Sequence, residues 1–191
     1  MTRLSNPAVE LPLSQMAGIS LKDTISLELE ILALFDTLRL PLLRYAISFG
    51  ISVADGEDIL QETFLALFSH LCRNRSRANI RGWIFRVTHN LALKRRRFYK
   101  IQSTWVSAEN FQPEAYLSNE PDPERRAILG ERQAQLVMIY HALPQNDRLC
   151  LQLRAEGLTY REIAHVVGIS LGTVSNSLVR SLARLALSDW R

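Results

Sequence analysis

Apolar residues recur along this chain at spacings of three and four, the period of one face of an α-helix. Leu27, Leu29, Ile31, Leu32, Leu34, Phe35 and Leu38 predict a first helix. Pro41 suits the first turn of a second one, carried by Leu42, Leu43, Ala46 and Ile47 and stopped at Gly50. Ser52 and Asp55 have the spacing of an N-terminal cap. After them Ile59, Leu60, Phe64, Leu67, Phe68 and Leu71 form a broad apolar stripe. A further helix is expected from about Ile80 to Arg97, with Trp83, Ile84, Val87, Leu91 and Leu93 turned inward. The period then fails. Residues 101–123 hold Pro113, Pro121 and Pro123 among scattered acids, which is a linker composition. Helical spacing resumes near Pro123 through Leu129, Leu136, Val137, Ile139 and Tyr140. Pro144 opens a helix carrying Leu149, Leu151 and Leu153. No β-hairpin pattern is present. The pattern predicts an all-α chain: an N-terminal extension over 1–24, a helical domain over 25–100, a flexible linker over 101–123 and a second helical domain over 124–191.

The second domain ends in the most punctuated stretch of the sequence. Thr159 and Glu162 have capping-box spacing, so a helix is expected to begin there. Ile163, Ala164 and Val167 give it an apolar face. Gly168 suits a left-handed helix stop, and Ser170 suits the cap of the next helix. Val174, Leu178, Leu182 and Leu185 then repeat at helical spacing. Two short helices joined by a tight turn form a helix-turn-helix, whose second helix can enter a DNA major groove. A helical hairpin in any all-α domain needs the same caps, so this feature leaves a purely structural reading open.

Charge changes the picture. The formal net charge is +4, but its distribution is uneven. Arg73, Arg75, Arg77, Arg81, Arg86, Lys94, Arg95, Arg96, Arg97 and Lys100 crowd one segment, with no Asp or Glu between Glu62 and Glu109. Acids flank it on both sides. An acid-free basic helix points to a polyanion. Cys72 and Cys150 stand apart in helical contexts, with no metal-ligand spacing, and fit a reducing compartment. Polar residues and prolines interrupt the first 20 residues, so no signal peptide is expected, nor any run long enough to cross a membrane. These features predict a soluble, cytoplasmic protein.

With these motifs in place the chain resembles a known family. Ala54-Asp55-Gly56-Glu57-Asp58-Ile59-Leu60-Gln61-Glu62-Thr63-Phe64 resembles the core-polymerase-binding motif of bacterial sigma factors. Arg81-Gly82-Trp83-Ile84-Phe85-Arg86-Val87-Thr88-His89-Asn90-Leu91-Ala92 resembles the promoter-melting helix that follows it. Leu143-Pro144 and the stretch Gly157 to Leu185 resemble the C-terminal domain of the same family. Two motifs in the right order, separated by a linker, are far more specific than a lone helix-turn-helix. The lack of intervening domains indicates the two-domain, extracytoplasmic-function type.

The resemblance implies a transcription initiation factor that binds core RNA polymerase and directs it to promoter DNA. It assigns Asp55, Glu57, Asp58, Gln61 and Glu62 to polymerase docking. It assigns Arg86, His89, Asn90, Lys94, Arg95, Arg96 and Arg97 to the minus-ten element, where exposed bases can also stack on aromatics such as Phe98 and Tyr99. Tyr160, Arg161, Thr173, Ser175, Asn176, Ser177 and Arg180 are assigned to the minus-thirty-five element, with Asn suited to adenine and Arg180 to phosphate. Here the chain departs from its family: Ser175 and Ser177 stand where the recognition helix usually carries Lys or Arg. The resemblance also implies an anti-sigma protein as a partner.

Two other classes remain in view. One is a helix-turn-helix regulator acting without polymerase, which would need its own dimerisation surface. The other is an enzyme. Glu162 and His165 have the Glu-x-x-His spacing of di-iron bundles, but no second such motif accompanies them. His70, His89, His141 and His165 form no cluster with the cysteines. No catalytic, metal or cofactor site is expected.

Overall fold

The computed structural model describes residues 21–73, 76–103, 130 and 135–187. Most of the expected N-terminal extension, most of the expected linker and the tail 188–191 lie outside the described residues, as do Pro123 and Leu129. The described residues are helical throughout, with short turns between helices and no strand. They comprise α1 (Leu21–Ile47), α2 (Val53–Cys72), α3 (Ile80–Ser103), helical residues 135–142 (α4), α5 (Gln145–Ala155), α6 (Tyr160–Val167) and α7 (Leu171–Leu187). They fall into two compact units, Met1–Arg96 and Arg97–Arg191.

In the first unit, α1 is one continuous helix with Pro41 inside it, not the two helices that the proline suggested. An interior proline removes one backbone donor and crowds the preceding turn. The helix persists because Leu38, Leu42 and Tyr45, at helical spacing on either side of Pro41, are all buried against the core. One turn earlier the Thr37 hydroxyl donates to the Ala33 carbonyl at 2.7 Å. The α2 stripe behaves as expected: Ile59, Leu60, Phe64, Leu67 and Leu71 are buried, with Phe68 at the margin. Phe64 meets Phe35 edge-on, with ring centres 5.0 Å apart.

α3 turns a different face inward from the one the apolar spacing indicated. Ile84, Phe85, Thr88, His89 and Ala92 are buried, while Trp83, Val87, Leu91 and Leu93 sit at the margin. Polar Thr88 is admitted because its hydroxyl donates to the Ile84 carbonyl at 3.0 Å and meets the Thr63 hydroxyl at 3.3 Å. The helix starts at a paired device. Asn79 takes a left-handed conformation (φ 57°), and its side-chain oxygen accepts from the Gly82 amide at 3.0 Å. A Cβ at position 82 would stand 2.6 Å from that same side chain.

In the second unit, Pro144 is the N-cap of α5, and Leu149, Cys150 and Leu153 are buried. The caps of α6 are those expected. Thr159 accepts from the Glu162 amide at 3.3 Å, and Glu162 accepts from the Thr159 amide at 2.6 Å. Gly168 closes the helix in the left-handed region at φ 77°, where a side chain would be strained. Ser170 accepts from the Thr173 amide at 3.1 Å and so caps α7. On α7 the inward residues are Val174, Ser177, Leu178 and Ser181, whereas Leu182 is 56% exposed. The leucine repeat therefore misplaced the later core positions. Small serines let α7 approach its neighbours closely, and Ser181 returns its hydroxyl to the Ser177 carbonyl at 2.7 Å.

Candidate polymerase and nucleic-acid interfaces

The acidic residues of α2 divide by the helix period. Glu57, Asp58, Gln61 and Glu62 are exposed and share one outward side, extended by the exposed Leu65. Glu57 lies 3.7 Å from Arg39, both well exposed, a pairing worth little in water. Asp55 is not part of this surface. It is buried, hydrogen-bonded to the Ser52 hydroxyl and ion-paired with Arg95 of α3. Its carboxylate joins α2 to α3 at the start of α2, where the helix dipole also favours a negative charge. The expectation that Asp55 faces a partner is corrected on that ground.

The basic residues of α3 divide in the same way. Arg86, Asn90, Lys94 and Arg97 follow one another at spacings of four, four and three, and so form one stripe. Asn90, Lys94 and Arg97 are exposed and Arg86 is half-buried. Phe98 and Ile101 continue the stripe as exposed apolar residues. Arg95 is held by Asp55 and lies 3.9 Å from Asp58. Arg96 lies over the Phe49 ring at 5.8 Å. These two arginines brace the first unit.

His89, expected to touch an exposed base, lies in the core instead. Its Nδ1 shares a 2.8 Å hydrogen bond with the Tyr45 hydroxyl, and Phe49 packs edge-on against its ring at 5.3 Å. Burial, with Arg96 and Arg86 adding repulsion, pushes its pKa down to about 4. It is therefore neutral near pH 7. The partners lie 44 residues apart in sequence, so no local pattern announced the contact.

In the second unit, α6 and α7 meet at 105°, within the range of a helix-turn-helix. Thr173, Asn176 and Arg180 share one outward side of α7, and Ser175 is half-buried at the opposite margin of its exposed face. Tyr160 and Arg161 are exposed at the start of α6. Ser177 is 1% exposed, hydrogen-bonded to Asp147 of α5 and to Cys150. Its expected base contact is thus replaced by a core role. Arg180, expected to contact phosphate, donates from Nε to Asp147 Oδ2 at 2.8 Å and from Nη2 to Oδ1 at 2.7 Å. These bonds hold the Asp147 carboxyl below its usual range despite its burial, with Ser177 assisting. Nothing local in the sequence linked Asp147 to α7. Val179, which the sequence reading passed over, is 64% exposed on the same helix.

Glu162 of the Glu162–His165 pair is engaged in the α6 cap. Among the described residues no three His, Cys, Asp or Glu side chains gather for a metal ion. Burial pushes the Cys150 thiol up to about 11, which removes its nucleophilic form at neutral pH. No single helix among the described residues is long and apolar enough to cross a membrane.

Both units match established families. Residues 34–100 match sigma-70 region 2, and residues 133–185 match sigma-70 region 4. The chain belongs to the sigma-70 family of RNA polymerase sigma factors. It is of the extracytoplasmic-function type. The sigma factor is 28% identical to RNA polymerase sigma factor NccH of Alcaligenes xylosoxydans xylosoxydans, over 72% of this chain and 75% of that one. It is 27% identical to the extracytoplasmic-function sigma-E factor of Salmonella typhimurium (strain 14028s / SGSC 2262), over 66% of this chain and 70% of that one. In fold it is similar to the sigma factor RpoE of Bartonella quintana, solved in complex with the anti-sigma factor NepR. That match has a TM-score of 0.55 and 21% identity, and covers 80% of this chain and 94% of the other. As a sigma factor, the protein is a transcription initiation factor that directs RNA polymerase to promoters. The alternative of a regulator acting without polymerase is not favoured.

Proposed function

We propose a division of labour among the outward faces of this sigma factor. The α2 face of Glu57, Asp58, Gln61 and Glu62 docks on a basic surface of core polymerase. The α3 stripe of Arg86, Asn90, Lys94 and Arg97 tracks the phosphates of the melted minus-ten strand, with Phe98 available for base stacking. The outward side of α7 enters the major groove at the minus-thirty-five element, where Thr173, Ser175 and Asn176 meet base edges. Tyr160 and Arg161 contact the flanking backbone. The protein works in the cytoplasm without catalysis of its own, and an anti-sigma protein masks these faces when transcription is not required. The complex of the Bartonella quintana relative supports that last assignment.

The observation that carries the reading is the sorting of charge within the first unit. Acids occupy the outward face of α2 and bases the outward face of α3, while the mixed pair Asp55–Arg95 is turned inward. A solvated helix surface has no need of such sorting. Run-off transcription with core polymerase tests it. Addition of the protein should produce transcripts from specific start sites, and the Asp58→Lys, Glu62→Lys double variant should lose them while keeping its helical content. Unchanged transcription by that variant would remove α2 from the docking surface.

A further inference from the structure

We propose that Arg180 reads the edge of a guanine in the promoter duplex and that Asp147 is the positioning residue that aims it. The inference rests on the placement of α7 in the major groove proposed above. The bond geometry leaves an aimed fork, which a base edge requires and a phosphate merely accepts. Asp147 grips the guanidinium along one side, through Nε at 2.8 Å and Nη2 at 2.7 Å. Two of its five N–H groups are thereby engaged. The end edge keeps one N–H on Nη2 and both on Nη1. Two of these are parallel, the geometry that matches guanine O6 and N7.

The grip is itself fixed. Asp147 is 1% exposed, is hydrogen-bonded by Ser177, and lies in the first turn of α5, where the helix dipole stabilises a carboxylate. The Arg180 side chain nevertheless remains 51% exposed. A phosphate contact requires charge and tolerates a mobile side chain. A base-edge contact requires a fixed plane, which this pair supplies. Asn176 precedes Arg180 by one turn on the same side. Four residues of helix rise about 6 Å, close to two base-pair steps at roughly 3.4 Å each. The guanine is therefore expected about two base pairs from the position read by Asn176.

The competing role for the pair is a tie between α5 and α7 with no part in reading DNA. Holoenzyme assembled from the full chain and core polymerase separates the two. Its affinity is measured on promoter duplexes varied at each minus-thirty-five base pair, at several salt concentrations. The native protein should prefer guanine at one position by about tenfold or more. It should lose that preference when the base is 7-deazaguanine, which lacks N7. Arg180→Lys keeps the charge but not the fork. It should abolish this one preference while leaving the salt slope and the preference at the Asn176 position intact. Asp147→Asn should weaken the same preference and no other. Uniform weakening on every duplex by both variants, or indifference of the native protein to 7-deazaguanine, would overturn the proposal. If Asn176→Ala also changes no base preference and no minus-thirty-five base pair matters, the groove placement fails as well, and the proposal with it.

Discussion

The two helices proposed to face nucleic acid, α3 and α7, solve opposite problems. α3 is rich in charge and must keep it outside, so its interior positions hold Ile84, Phe85 and Ala92, with His89 and Thr88 satisfied by Tyr45 and Thr63. α7 is poor in charge, and its inward serines bring it close to α5, where the buried Asp147 holds Arg180. Charge attracts phosphates regardless of sequence and weakens with salt. Fixed hydrogen-bonding groups discriminate among bases and add little raw attraction. The α3 side thus suits holding opened strands, and the α7 side suits choosing the site. Each helix also assigns some polar residues to the scaffold, so a count of arginines or serines overstates both interfaces.

The sharpest way to break the comparison is to make α7 resemble α3. Ser177→Arg would force a long cation into the interface with α5. The expected cost is about 1–3 kcal/mol or more, the range for overpacking a closely packed site, read as a lowered midpoint for the second unit in a denaturant titration. Ser175→Lys, at a half-exposed position, should fold normally and steepen the salt dependence of duplex binding by about 0.9 in slope. If the two variants behaved alike, the inward assignment of Ser177 would be wrong.

The next effect concerns pH and belongs to the α3 side alone. His89 is neutral in the folded protein with a pKa of about 4, against an ordinary value of 6.5. The unfolded chain therefore takes up a proton first as pH falls. The stabilisation is complete above about pH 6.5 and is lost progressively down to about pH 4, for a total of roughly 3 kcal/mol. Thermal melts between pH 4 and pH 8 should show the first unit losing stability across that window. His89→Gln should flatten the dependence even if it lowers the melting point throughout.

A smaller effect is expected at α2, the proposed docking face. Asp58→Lys with Glu62→Lys should weaken core polymerase binding by at least tenfold, about 1.4 kcal/mol, in a competition titration against a second sigma factor. The smallest effect separates the arginines of α3 from one another. Arg97→Ala and Lys94→Ala should each make the salt slope of promoter-strand binding shallower by up to about 0.7. Arg95→Ala should leave that slope unchanged and lower the stability of the first unit, because its partner is Asp55. Equal slopes for all three variants would erase the division between stripe and scaffold.

What could be read from sequence was what local chemistry controls. The caps at Thr159, Gly168 and Ser170 each act within four residues, so the residues that make them are also their signal. What escaped was set by residues distant along the chain. Pro41 looked like a helix start because the burial holding α1 together around it is tertiary. His89 and Asp55 looked like interface residues because Tyr45 and Arg95 lie 44 and 40 residues away. Leu182 looked like core and Ser181 did not, since size and polarity mislead where two helices approach closely. The outward faces of α2 and α3 were legible as charge blocks. The selection of members within each block was not.

The Asn79–Gly82 start of α3 has a consequence for transplanting parts between proteins. The amide of Gly82 is satisfied by Asn79, and the space over Gly82 is filled by that same side chain. The two positions form a single heritable unit: an alanine at 82 displaces the asparagine, and loss of the asparagine leaves the amide bare. A chimaera that borrows the basic helix from residue 83 onward would leave its own starter behind. One that begins at residue 79 would carry it along, and the graft junction belongs in the turn before Asn79.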